Sequence, residues 1–265
     1  MNRLGIKTSK EVKEAVKIIS KNDKLFLEGI YTHFATTGVN DFYYDRQVEK
    51  FLHLTSEIDL ASIPIVHLDR SLTFVTHEKL AFANGVRLGI AMFGFSGSRT
   101  FGTGFKAKLR SIKRNMYLKK YHISKTILEN DLQLSTAFSL YSSVMSLRKV
   151  QKGDVVGYNA SYQVKEESFI ATIPIGYADG VSKEFGFVSI RNKKYPIVAD
   201  AMDMIMVLVD ESVKIKDKVE IFGDTITIHE VKGRLNTNAQ HLFSGITTRV
   251  PRVHVDGKDE VEIKY

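Results

Sequence analysis

Cysteine is absent from all 265 residues. That excludes a disulfide framework and any thiolate chemistry, and it fits a cytoplasmic setting. Uninterrupted apolar stretches of membrane-spanning length are also missing, and the start shows no positive segment followed by an apolar one. Neither membrane spanning nor secretion is expected. No internal repeat or low-complexity linker is present. Acidic residues are missing from one place: Arg99 to Lys125 carries nine lysines and arginines and no aspartate or glutamate. The formal net charge is +8, so that segment accounts for all of it and leaves the rest nearly balanced. Basicity of this local kind reads as a solvated loop or as a short amphipathic helix over Arg110 to Tyr121. The alternative is contact with nucleic acid or an anionic surface, with Phe101, Phe105, Tyr117 and Tyr121 as stacking platforms. Nucleic acid is disfavoured because no recognisable binding motif accompanies the charge.

What is present suits a globular protein. Hydrophobic residues make up 43% and charged residues 26%, enough apolar material for a core in one large domain or two ordinary ones. Before the basic segment, helical and strand patterns alternate. Val12, Ala15, Val16 and Ile19 recur at helical spacing, with Ser9 as the expected N-cap. Leu25 to Thr32 reads as a buried strand. Asp45 to Ile58 reads as a helix, with Val48, Phe51, Leu52 and Leu54 or Thr55 near one face. Ile63 to Leu68 and the apolar run Gly85 to Phe95 suggest parallel strands covered on both sides. After the basic segment, β-prone pieces dominate: Ala137 to Val150, Phe169 to Ile175, Val188 to Ile190, Ile205 to Val209, Val219 to Phe222 and Thr225 to Ile228. Gly153 and Gly157 bracket a turn.

Several residues carry potential chemistry. His33 stands at the end of an expected parallel strand, His67 is a second candidate for such a position, and that edge of an α/β sheet is where ligands bind. Each histidine is equally readable as a structural hydrogen-bonding group. No ligand set accompanies the pair, so no metal site is assigned. Arg87 before Leu88-Gly89-Ile90 presents a cation and backbone amides to an anion, or forms an ordinary ion pair. Tyr158 after Gly157 and Tyr177 after Gly176 are phenols beside flexible backbone, the usual caps of a β core.

Six short strings occur in order along the chain: Met1-Asn2-Arg3-Leu4-Gly5, Tyr31-Thr32-His33-Phe34-Ala35, Arg87-Leu88-Gly89-Ile90, Val156-Gly157-Tyr158, Ile173-Pro174-Ile175-Gly176-Tyr177-Ala178-Asp179-Gly180 and Arg249-Val250-Pro251-Arg252. Together they resemble the alanine racemases, fold-type III pyridoxal-phosphate enzymes with a barrel followed by a β domain. The resemblance implies an α/β-plus-β architecture: an incomplete TIM-like (β/α) barrel over residues 1–95, a basic insert over 96–134 and a predominantly β domain over 135–265. It implies pyridoxal 5'-phosphate as cofactor, interconversion of L- and D-alanine, and a homodimer or a complementing racemase fragment as partner.

By the same resemblance, Tyr158 is a proton-transferring residue and is contributed to the partner subunit's site. His33 is a hydrogen-bond partner in that network, and Arg87 faces the pyridine nitrogen. Ser71 and the backbone amides of Gly89 and Ile90 match the phosphate cradle. Arg3, Met202 and Tyr177 match substrate-facing positions. The chain also departs from the pattern. Its opening Met1-Asn2-Arg3-Leu4-Gly5 reads as the tail of a βα unit, so the strand bearing the Schiff-base lysine is expected to have no counterpart here. Arg70 stands where an asparagine is expected before Ser71. Thr248 replaces a phosphate-facing tyrosine, and the segment Val198-Ala199-Asp200-Ala201 lacks an expected arginine. An isolated chain of this kind is expected to racemise poorly. It could instead serve as a non-catalytic partner of a complete racemase.

Overall fold

The computed structural model describes residues 2–36, 41–77, 79–95, 109, 112, 116, 119, 134–256 and 259–263. The chain divides into two compact units, Met1–Ala137 and Phe138–Tyr265. Most of the basic segment, including its four aromatic residues and most of its expected helix, lies outside the described residues. Among the described residues, no helix is long and apolar enough to cross a membrane.

The first unit begins with helix α1, Ser9–Ser20. Its N-cap is Thr8 rather than Ser9: the Thr8 hydroxyl accepts the Glu11 amide, and the Glu11 carboxylate reaches back to the Thr8 amide. The glutamate three residues on from Thr8 completes a reciprocal pair that Ser9 lacks. Three parallel strands follow, β1 (Gly29–Tyr31), β2 (Ile65–Arg70) and β3 (Gly85–Arg87), paired in the order β1-β2-β3. Helix α2 (Asp41–Leu54) lies between β1 and β2 in the chain, and helix α3 (Ser71–Thr76) lies between β2 and β3. This strand–helix alternation with parallel pairing is part of a (β/α) barrel, and among the described residues the sheet does not close.

Along β2, Val66 and Leu68 turn inward while His67 is half-buried between them, the two-residue alternation of a pleated strand. Val66 and Leu68 pack with Phe34, Tyr44, Phe51, Ile63 and Ala83. The expected buried strand over Leu25 to Thr32 shrinks to three residues, and Leu25 and Phe26 are exposed. The expectation of strands covered on both faces also fails, since Tyr31, Ile65, Val86 and Leu88 are all exposed. Among the described residues, β1 and β3 each pair along one side only, and the ladder they join is three residues long or shorter. The run expected as a strand over Gly85 to Phe95 turns after Arg87 into a 3-10 segment, Ile90–Phe93.

The second unit is built on a seven-stranded antiparallel sheet. Its strands are β4 (Leu140–Ser143), β5 (Ser146–Val150), β8 (Ser168–Ile173), β9 (Phe187–Ile190), β10 (Lys193–Asp200), β11 (Ile205–Val209) and β12 (Lys218–Phe222), in the order β4-β12-β9-β10-β11-β8-β5. Two short ribbons stand apart from it: β6 (Val155–Val156) with β7 (Tyr162–Gln163), and β13 (Arg252–Asp256) with β14 (Asp259–Ile263).

The two edge strands β4 and β5 are joined by Val144 and Met145 alone. A flat sheet would hold its first and seventh strands roughly 28 Å apart at about 4.7 Å per strand. Three peptide units span at most about 11 Å. The sheet must therefore roll until its edges approach. The backbone at the join shows the change of partner: the Val144 amide bonds the Asp217 carbonyl beside β12, and the Met145 amide bonds Thr172 of β8. Val144, Ile173, Ile190, Ile205, Val219, Ile221 and Phe222 are all buried in this unit. The strand expected over Thr225 to Ile228 is not one. Thr227 accepts the Glu230 amide and caps a helix, Ile228–Arg234, which is followed by a second helix, Ala239–Gly245.

Candidate active site

In the first unit, two arginines and an imidazole meet at the carboxyl ends of the parallel strands. Arg70 ends β2 and Arg87 ends β3, and the two are direct partners in the strand register. His33 follows β1. Its Nδ1 accepts a hydrogen bond from Arg87 Nε at 3.2 Å. An imidazole that accepts at Nδ1 is neutral there and carries its proton on Nε2. His33 is correspondingly pulled below the ordinary imidazole pKa, first by burial and then by the charges of Arg70, Arg87 and Arg3. The Arg87 guanidinium lies 4.1 Å from the centre of the Tyr31 ring. Tyr31 also packs on His67, with ring centres 5.1 Å apart. His67 too is pulled down, by burial and then by Arg87.

Gln47 fixes the His33 loop. Its amide nitrogen donates to the His33 carbonyl at 2.7 Å and to the Thr32 hydroxyl at 3.2 Å, while its oxygen accepts the Ala35 amide at 3.0 Å. Nothing in the chemistry of the motifs singled out Gln47. A signal was available, because it lies three residues after buried Tyr44 and four before buried Phe51, on the apolar face of α2.

Ser71 is the first residue of α3 and is buried. Its hydroxyl oxygen accepts the Gly89 amide at 2.9 Å and the Ala91 amide at 3.4 Å, and its own proton is left to donate. Gly89 is exposed, and a Cβ built there would meet only the Ser71 hydroxyl, at 4.0 Å. Ile90 is buried beside it. The Ser71 hydroxyl, held by these amides, and the guanidiniums on the same sheet edge form a donor set suited to an anionic, phosphate-bearing group. Pyridoxal phosphate fits these donors. No lysine among the described residues hydrogen-bonds or ion-pairs with His33, Arg70 or Arg87.

The second unit locks the segments carrying Tyr177 and Met202 together at one turn. Gly176 has no room for a side chain, since a Cβ would lie 2.4 Å from the Ala201 carbonyl oxygen. The Tyr177 amide bonds that carbonyl at 3.2 Å, and the Ala178 amide bonds the Met202 carbonyl at 2.9 Å. Buried Asp179 accepts the Gly176 amide at 2.9 Å and pairs with Arg249 Nε, also at 2.9 Å. Arg252 reaches the carbonyls of Ile246, Thr247 and Val250. The strings Gly176 to Gly180 and Arg249 to Arg252 thus cooperate as backbone scaffolding.

Tyr158 sits beyond Gly157, whose φ is +81° and whose Cβ would strike that of Ala199 at 2.5 Å. Asn159 and Ala160 also have positive φ, 56° and 51°. Successive left-handed residues are costly for side chains with a Cβ, and such strain collects at functional loops. The loop holds Tyr158 out with 77% of its surface exposed. Tyr177 and Met202 are exposed as well. Arg3 is exposed in the first unit, and Thr248 is exposed in the second. Among the described residues, no cluster of three or more histidine, aspartate or glutamate side chains could hold a metal.

A donor cradle at the carboxyl edge of a parallel sheet, on part of a (β/α) barrel that is followed by a rolled β unit, defines a barrel enzyme with an appended β domain. Comparison with known proteins gives the family. The alanine racemase N-terminal domain matches residues 1–97 and the alanine racemase C-terminal domain matches residues 137–254. This chain belongs to the alanine racemase family. It is 33% identical over 272 residues to the alanine racemase of Geobacillus stearothermophilus, covering 100% of this chain and 63% of that one. The crystal structure of alanine racemase from Bacillus anthracis with bound L-Ala-P matches with a TM-score of 0.79 and 31% identity, over 100% of this chain and 65% of that one. A histidine racemase from Leuconostoc mesenteroides matches with a TM-score of 0.72 and 25% identity, over 93% and 62%. The chain thus spans somewhat less than two thirds of the length of these relatives.

Proposed function

We propose that this chain supplies the greater part of a pyridoxal-phosphate-dependent amino-acid racemase site whose substrate is alanine. The observation that carries the reading is the Arg87–His33 hydrogen bond beside the Ser71–Gly89 cradle. Bound pyridoxal phosphate supplies an electron sink that weakens the Cα–H bond of an amino acid. The chain's own groups do the rest. Arg87 would present its guanidinium, a fixed cation, to the cofactor ring. His33 holds Arg87 in place through Nδ1. Ser71, with the amides of Gly89 and Ile90, holds the phosphate. Tyr158 moves a proton at its phenol oxygen. Arg3, Tyr177 and the Met202 backbone orient the substrate carboxylate.

The amine that would hold the cofactor covalently is supplied, in this reading, from outside the described residues. Two copies, or this chain with a complementing racemase polypeptide, assemble the site, with Tyr158 serving the partner's cofactor.

The test measures L- to D-alanine conversion with excess pyridoxal phosphate. It uses the purified chain alone and the chain mixed with a complete racemase whose own tyrosine at the Tyr158 position is changed to phenylalanine. The expected result is little turnover alone, restored turnover in the mixture, and none when this chain carries Tyr158→Phe. Robust conversion by the chain alone that survives Tyr158→Phe would overturn the reading.

A further inference from the structure

The amino ends of the parallel strands carry a groove of their own, formed by α1 and the turn that follows α2. Leu27 and Ile63, which stand just before β1 and β2, line it. β2 is six residues long, so about 20 Å of strand separates this groove from the edge that ends in Arg70. Its volume is about 350 Å³, at the lower end for a small-molecule site. The floor is apolar, with Ile63 buried and Val16, Leu27 and Ile58 half-buried. The rim is charged and of both signs. Lys13 Nζ pairs with Glu57 Oε2 at 2.6 Å and ties one wall together. Lys17, one helical turn on, joins no ion pair among the described residues. Asp59 spends Oδ1 on the Ala61 amide at 3.0 Å, which leaves Oδ2 as an open acceptor. The Ser20 and Ser62 hydroxyls donate to the carbonyls of Lys17 and Asp59, so only their lone pairs remain for a ligand.

We propose that this groove is a second small-molecule site, and that its ligand is a free α-amino acid with an apolar side chain of about leucine's size. The carboxylate of such a ligand pairs with Lys17, its ammonium with Asp59 Oδ2 and the serine lone pairs, and its side chain covers the floor. The pattern of charges argues against the simpler ligands. A phosphate would meet the rim carboxylates of Glu57 and Asp59, and a purely apolar molecule would shield Lys17 and Asp59 from water without pairing either. Alanine's methyl group would leave most of the floor uncovered. The site lies at the opposite strand ends from the Ser71–Gly89 cradle and does not depend on the racemase reading.

The test titrates L-leucine and, separately, 4-methylpentanoate, which lacks the ammonium, into the full isotope-labelled chain at low salt, with binding read from backbone amide shifts. The wild-type chain is compared with Lys17→Gln and Asp59→Asn, each checked for native circular dichroism. Both positions are exposed, and asparagine keeps the oxygen that caps Ala61. Leucine should give saturable shifts at Leu27, Ile58 and Ile63 and none at Gly89. Its affinity should fall about two- to five-fold in either variant, the range for a partly exposed ion pair. 4-Methylpentanoate should bind more weakly than leucine and should respond to Lys17→Gln but not to Asp59→Asn. Three outcomes overturn the proposal: no saturable shift at the groove, leucine binding that neither variant weakens, or 4-methylpentanoate binding as tightly as leucine.

Discussion

In the first unit the site residues stand on strand ends and satisfy one another: Arg87 bonds His33, Gly89 bonds Ser71, and Gln47 pins the His33 loop. In the second unit Tyr158, Tyr177 and Met202 project from loops whose backbones are fixed while their side chains remain exposed. The first group is prepared by electrostatics, with side chains held against side chains. The second is prepared by backbone geometry, through glycines that admit close approach and a buried aspartate that ties two loops together. Substitutions should therefore act through charge and hydrogen bonding in one unit and through steric fit in the other.

The largest expected effect lies under the rolled sheet. Phe222 is fully buried, and Phe222→Ala should lower the unfolding free energy by about 3–5 kcal/mol in urea titrations. Next is Asp179→Ala, which strands the buried Gly176 amide and releases Arg249. A loss of about 1–3 kcal/mol is expected, with faster amide exchange at Gly176 as the specific sign. Gly157→Ala should cost about 1–3 kcal/mol through its left-handed backbone and the contact with Ala199, and should shift the ring resonances of Tyr158. Asp179→Ala or Gly157→Ala leaving those signals unmoved would break the contrast between the units.

The smallest effect is the acid response. Burial, and to a smaller degree the neighbouring cations, holds His33, His67 and His229 below the ordinary imidazole pKa. The folded chain then binds protons less readily than the unfolded chain does. Stability is full above about pH 6.5 and falls as the pH drops below it. Urea midpoints should therefore decrease from pH 7.5 to 5.5, with a shallower slope in His33→Gln.

Much of this architecture is legible in the sequence because its cause is local. β11 occupies the expected Ile205–Val209, where alternating burial and β-branched residues coincide. The helix around Phe51 and the strand around Val66 and Leu68 appear with shifted ends. Failures cluster where the deciding partner is distant in sequence. The run Leu25 to Thr32 is apolar enough for a buried strand, yet only Gly29–Tyr31 finds a neighbour. β10 contains Pro196, which weakens its β signal, and was not anticipated; its strand is enforced by β9 on one side and β11 on the other. At the site, His33, Arg87 and Ser71 stand out by motif. The Arg70 cluster depends on strand register, which no local pattern reveals.

The two-residue join Val144–Met145 has a kinetic consequence. Rolling the sheet shut requires β4 to find β12, from opposite ends of the second unit's sheet sequence, after the nearer pairings of β5 with β8 and β8 with β11. Bringing such separated segments together carries the larger loop-closure entropy. Seam formation should be the late step of folding, and substitutions at the seam should slow refolding less than they hasten unfolding.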